Sequence, residues 1–297
     1  MPIRLSIARV LALLLLALPG MPAIAAAAAP GISSLDPGIL QAFNDARARG
    51  CAPRADAAPP AAPPPLAAAP VLDRVAGAIA DGQPLAEALR QAGYRQLRSF
   101  HVALNGAATA EQAARTVAAR HCERLVDPMM REFGASVRGR TWSLVFAAPF
   151  RPPPPTAGPE VAARVLALTN SARAVGRSCG ERWHGAAPPL TPDDRLDAAA
   201  ARHVRDMSAA GFFAHEGSDG STPATRIREA GGRWRAAGEN IAAGQPDPES
   251  VVDAWLRSPG HCAAIMNPLF DAMGLAFLVN LDSRHGIFWA QTFGARR

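Results

Sequence analysis

The chain contains no lysine, one tyrosine and four cysteines, and no apolar run long enough to cross a bilayer. Each shortage narrows the possibilities. Four cysteines in 297 residues cannot make the chain one small disulfide knot, and the length of about two ordinary domains leaves room for a buried core in each. The N-terminal apolar stretch, residues 10–18, is far shorter than the roughly 20 residues of a membrane helix, and no later segment does better. There is no nucleotide-binding glycine pattern and no serine on an obvious strand-turn-helix elbow. Positive charge rests on arginine alone: 31 basic residues against 25 acidic ones give +6, and removing Arg4 and Arg9 from that total leaves +4. The densest basic run, Arg226, Arg228, Arg233 and Arg235, is broken by Glu229 and Gly231-Gly232 and carries too few aromatics for a stacking platform. It reads as a solvated face, with no nucleic-acid partner.

What is present is a globular composition, 49% hydrophobic and 19% charged, interrupted by 28 prolines and long alanine runs that confine disorder to local stretches. Residues 1–29 have the form of a secretory signal: Arg4 and Arg9, the apolar stretch, Pro19-Gly20, then the small residues Ala23-Ile24-Ala25-Ala26-Ala27. A secreted or periplasmic, soluble product is expected, with no transmembrane segment in the mature chain. No cysteine lies near the cleavage region, which argues against lipid anchoring. Export permits disulfides, so Cys51, Cys122, Cys179 and Cys262 form an even set with three possible pairings.

The chain also repeats itself. Asn44-Asp45-Ala46-Arg47 leads to Cys51 and then Ala62-Pro63-Pro64-Pro65-Leu66, as Asn170-Ser171-Ala172-Arg173 leads to Cys179 and then Ala186-Ala187-Pro188-Pro189-Leu190. Leu89-Arg90-Gln91-Ala92-Gly93-Tyr94-Arg95 matches Ile227-Arg228-Glu229-Ala230-Gly231-Gly232-Arg233, and His121-Cys122 stands before Pro128 and Gly134 as His261-Cys262 stands before Pro268 and Gly274. The pattern reads as a tandem duplication. One early and one late cysteine per copy favours Cys51 with Cys122 and Cys179 with Cys262, a crossed pairing being the alternative. Each bridge closes a long loop, worth roughly 4 kcal/mol in the chain-entropy model. The division expected is a module over residues 31–148, a proline-rich linker over 149–159, extended through four consecutive prolines, and a second module over 160–297.

In the second module, apolar steps of three and four predict a helix over residues 161–175. A second helix is expected from Thr191 as N-cap and Pro192 to Gly211, with His203 on its inward stripe as a wall residue. Shorter helices start at Thr222-Pro223, Asp247-Pro248 and Ser258-Pro259. Residues 273–279 and 286–293 read as a β-hairpin. The fold class is therefore α+β, with helices covering an antiparallel sheet.

Three segments carry polar residues that are costly to bury: Phe212-Phe213-Ala214-His215-Glu216, Gly238-Glu239-Asn240-Ile241 and Ser258-Pro259-Gly260-His261-Cys262. With Asp219-Gly220-Ser221-Thr222-Pro223, Trp255-Leu256-Arg257 and Asn267-Pro268, this series resembles the bacterial secreted branch of the CAP superfamily (cysteine-rich secretory proteins, antigen 5 and pathogenesis-related proteins). The resemblance spans about residues 161–293. It implies an α-β-α sandwich with a central cleft where two histidines and two acidic residues converge and, in some members, bind a divalent cation. His215, Glu239 and His261 match that set, while the second acidic position falls on Ser258. Two histidines and one carboxylate suit Zn²⁺ or another divalent cation with an open position for water.

Bland roles stand beside these: His261 can satisfy first-turn or cleft-wall hydrogen bonds, Glu239 can be a structural carboxylate, Asn240 a turn or strand-end bracket, Asp219-Gly220 a turn, and Glu216 a solvated group. The first module keeps His121 but has lost the segment of His215, and His101 stands opposite Glu239, so it reads as a degenerate CAP-like module without a metal centre. The protein reads as a binding protein for a divalent cation and an extracellular or envelope ligand, not as an enzyme. The alternatives are a metal-dependent hydrolase acting on peptides or envelope components, with Glu239 as base, and a lipid or sterol carrier.

Overall fold

The computed structural model describes residues 32–33, 36–51 and 61–296. The signal-like residues 1–29 lie outside them. Two compact units form: Arg98–Ala147 together with the described residues before Arg95, and Arg95–Leu97 together with the chain from Ala148 onward. In chain order, the first half contains β1 (Ile32–Ser33), α1 (Pro37–Arg49), β2 (Ala67–Ala68), α2 (Pro70–Ala80), α3 (Leu85–Gln91), β3 (Gln96–Asn105), α4 (Ala110–Leu125), β4 (Glu132–Arg138) and β5 (Thr141–Pro149). The second contains α5 (Gly158–Arg173), β6 (Arg177–Cys179), β7 (Arg182–His184), β8 (Thr191–Pro192), α6 (Asp194–Ala210), α7 (Pro223–Glu229), β9 (Trp234–Ala243), α8 (Pro248–Arg257), α9 (Pro259–Ile265), β10 (Ala272–Asn280) and β11 (Gly286–Arg296). No described helix is long and apolar enough to cross a membrane.

In the C-terminal unit the sheet runs β8-β10-β11-β9, with β10, β11 and β9 antiparallel and the short β8 parallel to β10. Alternation along β11 sorts its side chains between two layers. Phe288 and Ala290 pack with Ala200, Val204 and Met207 of α6, whereas Trp289 and Phe293 pack with Val165 of α5, Trp255 of α8 and Ile265 of α9. The result is helix on sheet on helix, an α+β sandwich. Gly274 is required where α6 crosses β10: a Cβ there would lie 2.2 Å from the backbone of Leu196 and Asp197.

Local signals explain most boundaries. Asp247 and Ser250 form a reciprocal capping box at the start of α8, Thr222 accepts from Thr225 N to cap α7, and Gly211, with φ of 70°, ends α6 in the left-handed region. Two boundaries differ from the sequence reading. Helix α6 starts at Asp194 with Asp193 as its cap, because Thr191 and Pro192 are drawn into a strand beside Ala272 and Met273. The proline-rich stretch is extended at Pro154 but tightens to a 3-10 turn at Pro155–Ala157, and α5 opens at Gly158 because Pro159 sits in its first turn.

The N-terminal unit has the strand order β1-β4-β5-β3, with β2 parallel to β4. Its helix-to-sheet devices resemble those of the C-terminal unit. Ala135 N donates to Asp73 at 2.8 Å as Leu275 N donates to Asp197 at 2.7 Å, and a Cβ on Gly134 would lie 2.3 Å from Leu72. Asn44 brackets the backbone of Leu66 as Asn170 brackets that of Leu190. The buried guanidinium of Arg47 donates to the carbonyls of Pro64, Leu125 and Met130, and that of Arg173 donates to Pro188, Ile265, Asn267 and Phe270. Burial lowers the Arg173 guanidinium to about 10, so it stays charged at neutral pH. The disulfides join Cys51 to Cys122 and Cys179 to Cys262, the uncrossed pairing.

Candidate functional site

Strand β9 organises the site. It forms the outer strand of its sheet, with Glu239 opposite Thr292 and Asn240 opposite Gln291 on β11. Successive side chains on a strand point to opposite faces. Glu239 therefore lies on the α6 side and Asn240 on the α5 side. The Glu239 side chain is only 1% exposed. Its Oε1 accepts from His215 Nδ1 at 2.9 Å, and its Oε2 accepts from Arg226 Nη2 at 2.9 Å. Arg226 is itself buried and also donates to the carbonyls of Ser221 and His215, at 2.8 and 2.9 Å. A buried carboxylate is tolerated when it is paired and hydrogen-bonded, and here every strong charge has a partner.

Asn240 serves the other face. Its Nδ2 donates to Gln291 Oε1 at 3.1 Å and reaches the backbone carbonyl of His261 at 3.3 Å, and Gln291 Nε2 donates to Thr169 of α5 at 3.0 Å. Two consecutive strand residues thus fix the two histidines, one through its ring and the other through its backbone. The imidazoles of His215 and His261 face each other with ring centroids 6.4 Å apart. Burial lowers the pKa of His261, and the neighbouring His215 lowers it further.

His203 lies behind this pair, fully buried, and donates from Nε2 to the carbonyl of Ala214 at 2.9 Å. Its Nδ1 has no hydrogen-bond partner among the described residues. Burial lowers its pKa against the opposing influence of Glu239, 3.7 Å away. His203 thus supports the loop that presents His215.

Residues 166–293 match the family described as CAP, the cysteine-rich secretory protein family. The C-terminal unit carries a CAP domain. Over 130 residues, 44% of the chain, it is 33% identical to the uncharacterized protein YkwD of Bacillus subtilis, and over 112 residues 30% identical to the uncharacterized membrane protein YlbC of the same organism. The matched regions cover 45% and 30% of those two proteins. Among solved structures, an extracellular protein containing an SCP domain from Bacillus anthracis is 20% identical with a TM-score of 0.41, covering 56% of this chain and 57% of that one. An outer surface protein of Borrelia burgdorferi is 28% identical with a TM-score of 0.35, covering 37% of this chain and 80% of that one.

Within the CAP domain, His215, Glu239 and His261 are brought together from a loop, a strand and a helix. Glu239, however, stands behind His215, with both oxygens engaged, and among the described residues no three His, Cys, Asp or Glu side chains are grouped to hold a metal. The hydrogen bond to Glu239 occupies His215 Nδ1 and leaves Nε2 as the ring nitrogen not engaged by that carboxylate. Two further readings change. Asn240 sits inside a strand, not at a turn. Arg226 does not belong to a solvated face: it is 2% exposed, while Arg228, Arg233 and Arg235 of the same run are exposed. In a seven-residue helix the apolar pattern is too short to mark one arginine as inward. Asp219-Gly220 does form a turn, and hydrogen bonds from Ser221, then Arg202, hold the Asp219 carboxyl well below the usual range.

Proposed function

We propose that this is an exported, disulfide-stapled protein whose CAP domain binds a divalent cation, Zn²⁺ or a similar ion, and an extracellular or envelope ligand between His215 and His261. One observation carries the reading: an imidazole whose Nδ1–H is held by a buried carboxylate faces a second imidazole across 6.4 Å. Metal-binding histidines characteristically give their second nitrogen to such a carboxylate, which fixes ring and tautomer. The donors fit a cation held by the two imidazoles, with Glu239 as the orienting group and not as the third ligand. When bound, the cation would supply a Lewis-acidic centre with open positions for water or a ligand atom. Arg226 holds Glu239, Glu239 holds His215, and Asn240 anchors the backbone under His261.

The two disulfides and the signal-like N-terminus support export. The recurring strand order and bracket residues support descent of the N-terminal unit from the same module, as a scaffold without this cleft. Zinc titration calorimetry on the mature protein tests the cation. Wild type should release binding heat that the His215→Ala, His261→Ala double variant does not, and identical titrations would overturn the reading.

A further inference from the structure

A second concave site lies at the start of β9. Trp234 precedes Glu239 by five residues, about 17 Å along an extended strand. A cavity of about 420 Å³ there is lined by Arg195, Gly231, Arg233, Trp234 and Arg296. Three guanidinium groups and an indole form its wall, and no carboxylate lines it.

The acids stand behind. Asp193 bonds Arg195 at 3.0 Å and lies 3.7 Å from Arg296, which is also 3.4 Å from Asp271. Asp194, on the first turn of α6, adds a weaker electrostatic influence on Arg195. These pairs hold two guanidinium forks in place over the indole, their central carbons 5.9 and 5.7 Å from the Trp234 ring centroid. Arg233 completes the wall with no ion-pair partner among the described residues. Trp234 Nε1 is buried without an acceptor among the described residues, and a Cβ on Gly232 would lie 1.6 Å from it.

Arginine forks from three separate elements converge, namely the start of α6, the turn after α7 and the end of β11. Carboxylates offer two oxygens in one plane, whereas a phosphate offers several in a tetrahedron and can accept from forks arriving in different directions. The volume falls within the roughly 300–1,000 Å³ of small-molecule sites, so it has room for more than a bare anion. Strand β3 begins with Gln96 where β9 begins with Trp234, and the second residue of α2 is Val71 where that of α6 is Arg195, so the arrangement is peculiar to the C-terminal unit.

We propose that this cavity binds the phosphate ester of a small organic molecule, its phosphate held by Arg233 with Arg195 and Arg296 and its organic part lying against Trp234. The source is either a free ester or a phospholipid headgroup. The test uses the full mature chain, with glycerol 3-phosphate in calorimetry and phosphatidylglycerol vesicles in co-sedimentation. Glycerol 3-phosphate should bind, glycerol should not, and Arg233→Gln should weaken binding about tenfold or more, since it removes charge-assisted hydrogen bonds at an exposed residue. Binding should also weaken as salt rises. Vesicle binding without binding of the free ester, lost in Arg233→Gln, would assign the headgroup. No binding of either probe, or equal binding by wild type and Arg233→Gln, would overturn the proposal. Trp234→Phe should weaken glycerol 3-phosphate more than inorganic phosphate, and the zinc titration of Arg233→Gln should match wild type.

Discussion

The two units share the residues that join helices to sheet and differ in what they bury between them. Arg47 and Arg173, Asn44 and Asn170, and Asp73 and Asp197 all bond backbone groups. Trp142 and Trp289 each donate an indole N–H to a carbonyl, of Ala107 and Gln245, at 3.0 and 2.9 Å. Apart from His261, whose place is taken by His121, the site residues have no such counterparts. Ile79 occupies the place in α2 that His203 has in α6, Ala88 that of Arg226, His101 that of Glu239, and Val102 that of Asn240. At these places in the N-terminal unit no ion pair stands among the described residues: His101 Nε2 meets Ser143 Oγ at 3.0 Å, and Ser143 donates to Ala76 O at 2.7 Å. Although both units bury an arginine, Arg47 and Arg173, a buried ion pair in this layer is therefore not a demand of the architecture. Its presence in the CAP domain, despite the desolvation it costs, belongs to the cleft.

The comparison can be broken most sharply at Arg226. Arg226→Met should destabilise the C-terminal unit by about 3–5 kcal/mol, because it leaves the buried Glu239 carboxylate without its guanidinium partner, while Arg226→Met with Glu239→Gln should recover much of that loss. Hydrogen exchange resolved by unit, combined with urea unfolding, reads this. Additive losses would show that the two side chains are not coupled. Smaller but parallel effects are expected at the close contacts: Gly134→Ala and Gly274→Ala should each cost about 1–3 kcal/mol in their own unit, since both would drive a Cβ into helix backbone. A neutral result at one glycine alone would separate the two frames.

The smallest effect concerns pH. Burial lowers the His101 pKa below its usual 6.5, so in the folded state the ring stays neutral where the unfolded chain takes up a proton. Its contribution is complete above pH 6.5 and declines as pH falls from there through the folded value. Exchange protection in the N-terminal unit should drop between pH 7.5 and 5.5, and His101→Gln should flatten that slope. An unchanged slope would mean that other groups control it.

Much of this is legible in the sequence. Cysteine spacing marked the disulfide pairing, Pro after Ser, Thr or Asp marked α7, α8 and α9, and apolar runs marked the β10–β11 hairpin. Strand β9 was harder to see. Its sequence, Trp-Arg-Ala-Ala-Gly-Glu-Asn-Ile-Ala-Ala, is short of β-branched residues and carries Gly, Glu and Asn, all uncommon in strands. It is a strand because β11 pairs with it along almost its whole length. Similarly, Thr191 and Pro192 satisfy a helix-start rule locally, but pairing with β10 overrules it.

By itself the sequence determined the covalent and local terms: where helices begin, which cysteines could pair economically, and which histidines and carboxylate were candidates for one cleft. Those depend on residues close in the chain or on matched spacing between its two halves. Only the tertiary structure decided that Glu239 stands behind His215, that Arg226 is buried while its neighbours are solvated, and that Arg195, Arg233 and Arg296 meet around Trp234. These arrangements are set by strand register and helix packing across long separations, where hydrogen-bond satisfaction and desolvation choose among side chains that look alike in the chain.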